Sequence, residues 1–507
     1  MSYDGTINYL YNLRKYGIKF GLNNISSLMS ALDNPHKSFL SIHVAGTNGK
    51  GSTSAIISSI LTTAGLKVGL FTSPHIVSFT ERVRVNGKEI TESEVVSLTE
   101  EIKTKIENTP SLTLPSRGGG QGWGGEPKLN PTFFEFITAM ALLYFKRKNI
   151  DIAVIETGMG GRLDATNIVA PEVSVIAKIS YDHREFLGNT LKEIAHEKAG
   201  IIKYGIPVVA SYQDPEAMKV IEKKAIEKEA ELYVYGRDFS SVLKKEDISG
   251  ICFDYRGSDL FTIHDLVLPL TGEHQMQNAS VAIKAAMIVL KKKITKRGKE
   301  EAENGRNKEK LISPGPRVSE SEGQRENIVK LIRDGLATTK WPGRLEIVKE
   351  DPTILIDGAH NPAAAAALSN ALVKNFIGRY KKIILILGIM GDKDIEGIME
   401  PLLPLASEII LTSPDHERAA SPARLAAIAA SLEFPEARTA PAVRDAIEIA
   451  IKIADCGMQN AESELKTIPS SAICNPQSLI LVTGSFYTIG EAKEAIGQKG
   501  VLARLRE

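Results

Sequence analysis

The segment that most constrains this fold is a glycine-rich run at 46–52, which reads GTNGKGS and stands between a predicted strand and a predicted helix. In that setting, backbone N–H groups and the helix N-terminus converge on one anion. Lys50 adds a charge at the outer phosphates, and the hydroxyl of Ser52 can reach Mg²⁺. The run departs from the common P-loop pattern by Gly51, which separates these two residues. We therefore predict that this run, from Gly46 to Ser52, is a phosphate-binding loop.

Short apolar, β-branched runs alternate with helical patterns around this loop, which is typical of a parallel sheet covered by helices. The predicted strands lie at 39–44, 68–71, 152–155, 173–179 and 207–210. Helical patterns occur at 54–63 and 133–145. A hairpin is predicted at 82–91, because Asn86-Gly87 supplies the positive φ angles of a type I′ turn. Ligands of parallel sheets bind at the carboxyl ends of the strands.

The same alternation restarts after a junction that we predict near 338–342. Strands are expected at 345–348, 353–356, 382–387, 408–411 and 478–482. A glycine-rich run at 116–128 predicts a flexible loop, and a charged run at 291–324 predicts a solvated linker. The length of the chain alone suggests about three domains. Because the two insertions account for much of the excess length, we predict two domains. The predicted class is α/β, with a P-loop N-terminal domain at 1–338 that has a mostly parallel sheet, and a smaller Rossmann-like α/β C-terminal domain at 339–507.

The charge is nearly balanced, with 62 Lys plus Arg and 61 Asp plus Glu. This balance gives no electrostatic case for a nucleic-acid or membrane-surface partner. The three cysteines form no CxxC or Cys/His cluster, so neither a disulfide scaffold nor a zinc module is predicted. No signal-like apolar core is found at the N-terminus, and no run approaches the ~18 apolar residues of a membrane span. We expect a cytoplasmic monomer that binds small molecules, without nucleic acid or membrane.

Candidate functional residues stand where predicted strands end. Glu156 closes one strand, where an acid could hold Mg²⁺ beside a triphosphate. His183 follows another strand, so a metal or phosphate role has about as much support as a structural one. Lys198 lies in the last turn of a helix that opens with a capping box at Thr190. From composition alone, we predict that Lys198 lies on the surface, where the helix dipole favours a positive charge near the C-terminus of the helix.

The second half offers fewer candidates. Arg344 stands at the predicted junction, and Asp357 follows a predicted strand. A phosphate-contacting arginine on a hinge would couple nucleotide binding to closure of the domains. The glycines at 158–161 resemble part of a dinucleotide fingerprint, but GxGxxG is incomplete. A tight turn is the better interpretation, and a Rossmann dehydrogenase is poorly supported.

Ten runs resemble the folylpolyglutamate synthase / dihydrofolate synthase family, within the wider Mur-ligase group. They appear in the family's order and cover nearly the whole chain, so the set is highly specific although each run alone is weak. The runs are HVAGTNGKGS (43–52), FTSPHIVSFTERVRVNG (71–87), TFFEFITAM (132–140), ETGMGGRLDATN (156–167), DHREFLG (182–188), HEKAGIIK (196–203), GEHQMQNA (272–279), WPGRLE (341–346), DGAHNP (357–362) and GSFYTIGE (484–491).

The resemblance implies an ATP-dependent ligase that joins L-glutamate to a folate-type carboxylate through an acyl phosphate, with ATP and Mg²⁺ as cofactors. It implies catalytic roles for Lys50, Lys198 and His360, with Lys198 carbamylated. The nucleotide contacts that it implies are Gly49, Lys50, Gly51, Ser52, Asn278, Arg344 and Asp357. The Mg²⁺ ligands that it implies are Ser73, Glu156 and His183. The pterin-side wall that it implies is Thr132, Phe133, Phe134, Glu135 and Leu163.

Two alternatives stay open. One is a Mur-type amino-acid ligase that acts on another acid, although the forms GTNGKGS and DGAHNP favour the folate branch. The other is a non-catalytic P-loop nucleotide-binding protein, which would have no reason to carry Glu156, His183 and the second-domain residues together. The chain also departs from the family at Ser180-Tyr181, where a Gly-Leu pair is frequent, and this departure concerns the fit of the substrate.

Overall fold

The computed structural model describes residues 1–17, 21–108, 129–257, 262–303, 322–464 and 478–497. The predicted loop at 116–128 lies outside these ranges. Among the helices that fall within them, none is both long enough and apolar enough to cross a membrane.

The secondary structure alternates as predicted over most of the described chain. The strands are β1 (Leu40–Ala45), β2 (Val68–Phe71), β3 (Val83–Val85), β4 (Lys88–Glu89), β5 (Ile152–Glu156), β6 (Val173–Ile176), β7 (Val208–Ala210), β8 (Leu232–Val234), β9 (Ser240–Asp247), β10 (Gly250–Arg256), β11 (Thr262–Leu268), β12 (Glu346–Glu350), β13 (Thr353–Ile356), β14 (Lys382–Leu387), β15 (Glu408–Leu411), β16 (Arg438–Thr439) and β17 (Ser478–Thr483). The α-helices are α1 (Tyr3–Asn12), α2 (Asn23–Ala31), α3 (Lys50–Thr63), α4 (Glu92–Asn108), α5 (Phe133–Lys148), α6 (Arg184–Leu187), α7 (Leu191–Ala199), α8 (Pro215–Glu227), α9 (Glu273–Glu303), α10 (Glu322–Ala337), α11 (Pro362–Asn375), α12 (Ile395–Met399), α13 (Pro422–Ser431), α14 (Val443–Glu464) and α15 (Phe486–Ala495). Short 3₁₀ helices lie at Leu13–Tyr16, Pro35–Lys37, Phe79–Arg82, Ala165–Ile168 and Leu403–Leu405.

An eight-stranded sheet forms the centre of the N-terminal domain, in the order β4-β3-β2-β5-β1-β6-β7-β8. The strands from β2 to β8 in that order are parallel, and the β3–β4 hairpin adds an antiparallel edge. Asn86 and Gly87 both have positive φ angles, 49° and 77°, as the hairpin prediction requires. Val44 of β1 is the register partner of Glu156 of β5, so this acid lies beside the strand that enters the phosphate loop.

Helices cover both faces of this sheet, which explains why its strands are apolar throughout. In β5, Ile152 and Val154 pack in one core cluster, whereas Ala153 and Ile155 pack in another. This alternation follows the two-residue period of a strand. The first cluster includes residues of α3, α9 and α10, and the second includes residues of α1, α2, α4 and α5.

Two features of the first half differ from the prediction. The strands β9, β10 and β11 form a separate antiparallel sheet, which the sequence patterns did not indicate. The expected solvated linker at 291–324 is wrong at both ends, because α9 continues to Glu303 and α10 begins at Glu322. The rest of that segment, at 304–321, lies outside the described ranges. Lys and Glu are good helix formers, so a charged run can extend a helix that is already nucleated by its buried first turns.

A six-stranded sheet forms the C-terminal domain, in the order β12-β13-β17-β14-β15-β16. All of its pairs are parallel except β12–β13. Pro362 occupies the first turn of α11, and the side chain of Asn361 accepts the N–H of Ala364 as its cap. The position of the domain boundary at 338/339 remains a prediction.

Candidate active site

The phosphate-binding loop turns into α3 at Gly49, whose φ angle is 85°. A side chain at Gly49 would collide with Asn278, whose amide lies against the loop. Lys50 donates to the carbonyl oxygen of Thr47 over 3.2 Å. The Ser52 hydroxyl is buried, and no hydrogen-bond partner for it exists in the part of the chain that the structure describes. A buried hydroxyl of this kind at a helix N-terminus fits a phosphate or a cation.

Glu156 ends β5 at the same edge of the sheet and is only 3% exposed. Its Oε2 accepts the backbone N–H of Ser73 over 3.2 Å, so the structure brings these two predicted residues together. Burial raises the pKa of Glu156 to about 7, although Lys50 and the Ser73 N–H oppose the shift. A neighbouring cation would favour the charged carboxylate. The environment of Glu156 therefore fits a metal ion.

His183 precedes α6 and has a φ angle of 49°. Although 39% of its side chain is exposed, desolvation by the surrounding walls lowers the pKa of His183 to about 4, against the charge of Asp182. The ring is thus neutral near pH 7 and can act as a ligand. Among the described residues, no group of three or more His, Cys, Asp and Glu side chains could hold a metal by itself. Serine hydroxyls and phosphate oxygens would have to complete a Mg²⁺ site here.

Lys198 is 4% exposed, so the assignment to the surface from composition is wrong. The capping box at Thr190 and Glu193 opens α7 as predicted, and the last turn of this helix points Lys198 into the site. Its Nζ donates to the carbonyl oxygen of Gly46 over 2.7 Å. Burial lowers the pKa of Lys198 to about 7, and the charge of Lys50 acts in the same direction.

Asp182 joins the two domains, a role that the sequence analysis did not assign. Lys393, from the loop after β14, donates to its Oδ1 over 2.6 Å, and the Nε2 of His360 lies 3.5 Å from its Oδ2. Burial alone would raise the pKa of Asp182, but the hydrogen bond from His360 and the charge of Lys393 hold it well below its usual range. Next to this group, Asn48 of the phosphate loop and Asn361 exchange two amide hydrogen bonds of 3.2 and 2.9 Å.

Arg344 lies in a tight turn that belongs to the C-terminal domain. Asp357 pins this turn, because its two carboxylate oxygens accept the N–H groups of Leu345 and Ala359 over 3.0 and 2.9 Å. The guanidinium of Arg344 lies 5.0 Å from the ring centroid of Phe486. Both carboxylate oxygens of Asp357 thus already accept backbone hydrogen bonds. Asp357 would therefore contribute to nucleotide binding partly by holding Arg344 in position.

His360 is oriented by two contacts. Its Nδ1 lies 2.8 Å from the carbonyl oxygen of Gly358, which can only accept, so Nδ1 carries a proton. Its ring centroid lies 5.4 Å from that of Phe486. These contacts direct Nε2 toward Asp182 and the cleft between the domains.

The predicted pterin-side wall begins with a helix cap. Thr132 and Glu135 form a capping box for α5, and Glu135 also accepts from Asn24 over 2.6 Å. The ring of Phe134 covers Gly158, where any side chain would collide with it. Phe133 and Leu163 also line the cleft.

A cationic end of the cleft was missed by the sequence analysis. Arg82 is 6% exposed, and its Nε donates to Nδ1 of His75 over 2.8 Å. Tyr11 meets the other ring nitrogen of His75 at 3.2 Å, and Arg14 lies 4.2 Å from the centroid of Tyr11. Burial lowers the pKa of Arg82, because its guanidinium charge is poorly solvated there. Only the fold brings these positions together, because Tyr11 and Arg14 are far in sequence from His75 and Arg82.

All the residues predicted for the site line one cleft of about 980 Å³ between the two domains. The N-terminal domain supplies the phosphate loop, Glu156, Lys198 and the aromatic wall. The C-terminal domain supplies Arg344 and His360. The individual roles of these residues remain predictions.

Comparisons with known proteins identify the family and the two domains. Residues 44–286 match the Mur ligase middle domain, and residues 343–486 match the Mur ligase glutamate ligase domain. The dihydrofolate synthase/folylpolyglutamate synthase of Bacillus subtilis (strain 168) is 34% identical over 98% of this chain and 99% of that protein. This chain belongs to the dihydrofolate synthase/folylpolyglutamate synthase family. The membership predicted from the ten sequence runs is confirmed.

Solved structures of the family support the α/β class as well. The Mycobacterium tuberculosis folylpolyglutamate synthase complexed with ADP has a TM-score of 0.80 and 29% identity, over 98% of this chain and all of that one. A folylpolyglutamate synthase complex with AMPPCP and folate has a TM-score of 0.72 at 29% identity, with the same coverage. The predicted fold class is therefore confirmed.

Proposed function

We propose that this chain is an ATP-dependent ligase that joins L-glutamate to the carboxylate of a pterin or folate acid. The observation that carries this proposal is the single cleft in which the phosphate loop and Glu156 face Arg344 and His360 of the other domain. Family membership supports ATP as the nucleotide, since solved structures of two relatives hold ADP or AMPPCP. Dihydropteroate and a reduced folate both fit this reaction as the acid substrate.

The chemistry requires activation, because a carboxylate would have to expel an oxide ion. Transfer of the γ-phosphoryl group to the carboxylate gives an acyl phosphate and ADP. The glutamate amine then attacks the carbonyl carbon, and the tetrahedral intermediate expels phosphate to leave the amide. Lys50 and the backbone N–H groups of the loop would offset the charge on the transferred phosphoryl group. Arg344 and His360 would align the reactants from the opposite wall.

Mg²⁺ fits the residues at the edge of the sheet. We propose that Ser73, Glu156 and His183 hold it, with the unpartnered hydroxyl of Ser52 directed to the same region. A bound Mg²⁺ supplies positive charge beside the phosphate oxygens. With a pKa of about 7, the carboxyl of Glu156 would readily lose its proton beside a cation. The imidazole of His183, whose pKa is lowered to about 4, is already neutral and can bind a metal.

Lys198 is proposed to carry a carbamate. Its amine nitrogen would attack CO₂ and lose a proton, which converts a buried cation into a carboxylate. The lowered pKa of Lys198 supports this proposal, since only the neutral amine is nucleophilic. The pterin ring is proposed to lie against the wall of Thr132, Phe133, Phe134, Glu135 and Leu163. A monomeric state, a cytoplasmic location and the absence of nucleic-acid and membrane partners also remain proposals from the sequence.

The test is ADP release with dihydropteroate or a reduced folate, each with and without L-glutamate. We expect ADP release to require an acid and glutamate together, and the variants Lys50→Ala and Glu156→Ala to lose nearly all turnover. ADP release that ignores both substrates would indicate a nucleotide-binding protein of another kind. Turnover with a different acid alone would point to another Mur-type ligase. Near-normal turnover of either variant would remove the role assigned to that residue.

A further inference from the structure

The tryptophan at the domain junction lies directly on the phosphate loop. A Cβ atom at Gly51 would stand 2.8 Å from Cζ2 and 3.1 Å from Nε1 of Trp341. The first distance is too short for a side chain and the second is tight, so the indole fills the space that a residue other than glycine would need. This contact accounts for the additional glycine that separates Lys50 from Ser52 in the loop. The indole therefore touches the backbone between two predicted phosphate contacts.

Trp341 is anchored on the N-terminal side of the junction. Its ring packs against the core cluster that contains α3 and α9. The guanidinium carbon of Arg84 lies 5.5 Å from its ring centroid, so a cation covers another part of the indole. The ring thus moves with the N-terminal domain and its phosphate loop.

The residues just after Trp341 are fixed to the other domain. The N–H of Gly343 donates to Glu346 over 2.7 Å, and Gly358 donates to the carbonyl of Gly343 over 3.0 Å. Gly343 and Leu345, on either side of Arg344, have φ angles of 70° and 46°. A turn held in this left-handed conformation by several hydrogen bonds has little freedom of its own. Arg344 therefore follows the C-terminal domain, and one proline separates its turn from the indole.

We propose that Trp341 is a positioning residue that transmits the state of the phosphate loop to Arg344. Phosphate binding at Lys50 and Ser52 fixes the position of the Gly51 backbone, and this backbone fixes the position of the indole. The position of the indole then determines where the segment that leads to Gly343 leaves the N-terminal domain. The inference depends on the proposed function only in requiring that a nucleotide binds at this loop.

A double-mutant cycle on nucleotide binding tests this link. ADP affinity is measured by calorimetry for Trp341→Leu, for Arg344→Ala and for the double variant, in the presence of Mg²⁺. We expect each single change to weaken ADP binding by about tenfold, and the double variant to bind no more weakly than Arg344→Ala alone, since Trp341 acts through Arg344. Independent effects that multiply to about a hundredfold would overturn the proposal.

A matched variant separates positioning from general stability. Trp341→Phe keeps a flat ring over Gly51, so it should restore most of the ADP affinity that Trp341→Leu loses. If Trp341→Leu fails to fold, the fluorescence measurement below carries the test instead. A loss in Trp341→Phe as large as in the folded Trp341→Leu would contradict it.

Fluorescence supplies an independent readout. The chain has two tryptophans, Trp123 and Trp341, so the variant Trp123→Phe leaves the indole in question as the sole tryptophan. We expect its emission to change with ADP along the calorimetric binding curve. Binding without any change in emission would count against the proposal. Since ADP alone is used, failure of the ligase assay with intact coupling would defeat the proposed function and leave this inference standing.

Discussion

At the scale of the residue, Lys198 shows how burial prepares a group for chemistry. A charged amine is costly to hold away from water, so the folded state favours its neutral form. The Nζ atom donates to a backbone carbonyl, which a neutral amine can also do. The site thus keeps a nucleophilic nitrogen near neutral pH, where an exposed lysine would be almost fully protonated.

The first prediction concerns carbamate formation at Lys198. With a pKa of about 7, the neutral fraction rises as pH increases through 7, and it is about tenfold larger at pH 8 than at pH 6. At a fixed concentration of dissolved ¹³CO₂, the rate of carbamate formation should rise by a similar factor, as followed by ¹³C NMR. Lys198→Arg is the control and should show no such signal. A rate that still rises steeply between pH 9 and 10 would indicate an ordinary lysine.

At the scale of the element, α7 places Lys198 by its own local signals. The Thr190 hydroxyl accepts the N–H of Glu193, and the Glu193 carboxylate accepts the N–H groups of Asn189 and Thr190. These bonds satisfy N–H groups that the first turn of a helix otherwise leaves without partners. Since α7 is only nine residues long, its start determines where its last turn lies.

The second prediction tests this cap. Thr190→Ala should reduce the free energy of unfolding by about 1 kcal/mol, because the side-chain acceptor is lost. Thr190→Ser keeps the hydroxyl and should remain close to the natural protein. Denaturant unfolding followed by circular dichroism measures the difference. Equal losses in both variants would show that the methyl group, not the hydroxyl, matters.

The elements also show what the sequence could and could not reveal. The strands at 68–71, 353–356, 382–387 and 408–411 were predictable to the residue, because fully buried parallel strands are continuous apolar runs. The strand β9 was not, since its pattern of Ser, Lys, Glu and Asp carries no strong alternation. In the site, the strand-end residues and the phosphate loop were readable from local motifs. The pairing of Asp182 with Lys393 was not, because it depends on how the two domains dock.

At the scale of the whole molecule, two of the ion pairs that join the domains differ in burial. Asp182, with Lys393, is nearly buried, since the two side chains are 7% and 10% exposed. The pair formed by Glu273 and Lys374 is half exposed, at 52% and 50%. Charges in water are screened and contribute little, whereas a buried charge that loses its partner is costly. The pair of Asp182 and Lys393 should therefore control how tightly the two domains close on the cleft.

The third prediction compares these two pairs. Lys393→Ala should cost about 3 kcal/mol of unfolding free energy and increase the radius of gyration, because it leaves Asp182 with fewer cationic partners between the domains. Lys374→Ala removes an exposed charge and should cost less than about 1 kcal/mol without a change in size. Small-angle X-ray scattering and denaturant unfolding provide the measurements. Similar behaviour of the two variants would refute this ranking.

The fourth prediction concerns the metal. ADP with Mg²⁺ at about a hundred times its dissociation constant should stabilise the folded protein by about 2.7 kcal/mol. Thermal unfolding with ADP and EDTA should show a clearly smaller rise in Tm, since Glu156 and the phosphates then lack a shared cation. Lys50→Ala should show little rise under either condition. The same Tm with Mg²⁺ and with EDTA would argue against a metal at this site.

The contact between Asp182 and Lys393 has a consequence for the fate of ATP. An acyl phosphate is short-lived in water, and it survives to meet an amine only while the cleft excludes solvent. If the bridge loosens, water can compete with glutamate, and ATP is hydrolysed without an amide being formed. The bridge between the domains would then determine the yield of product per ATP as well as the rate.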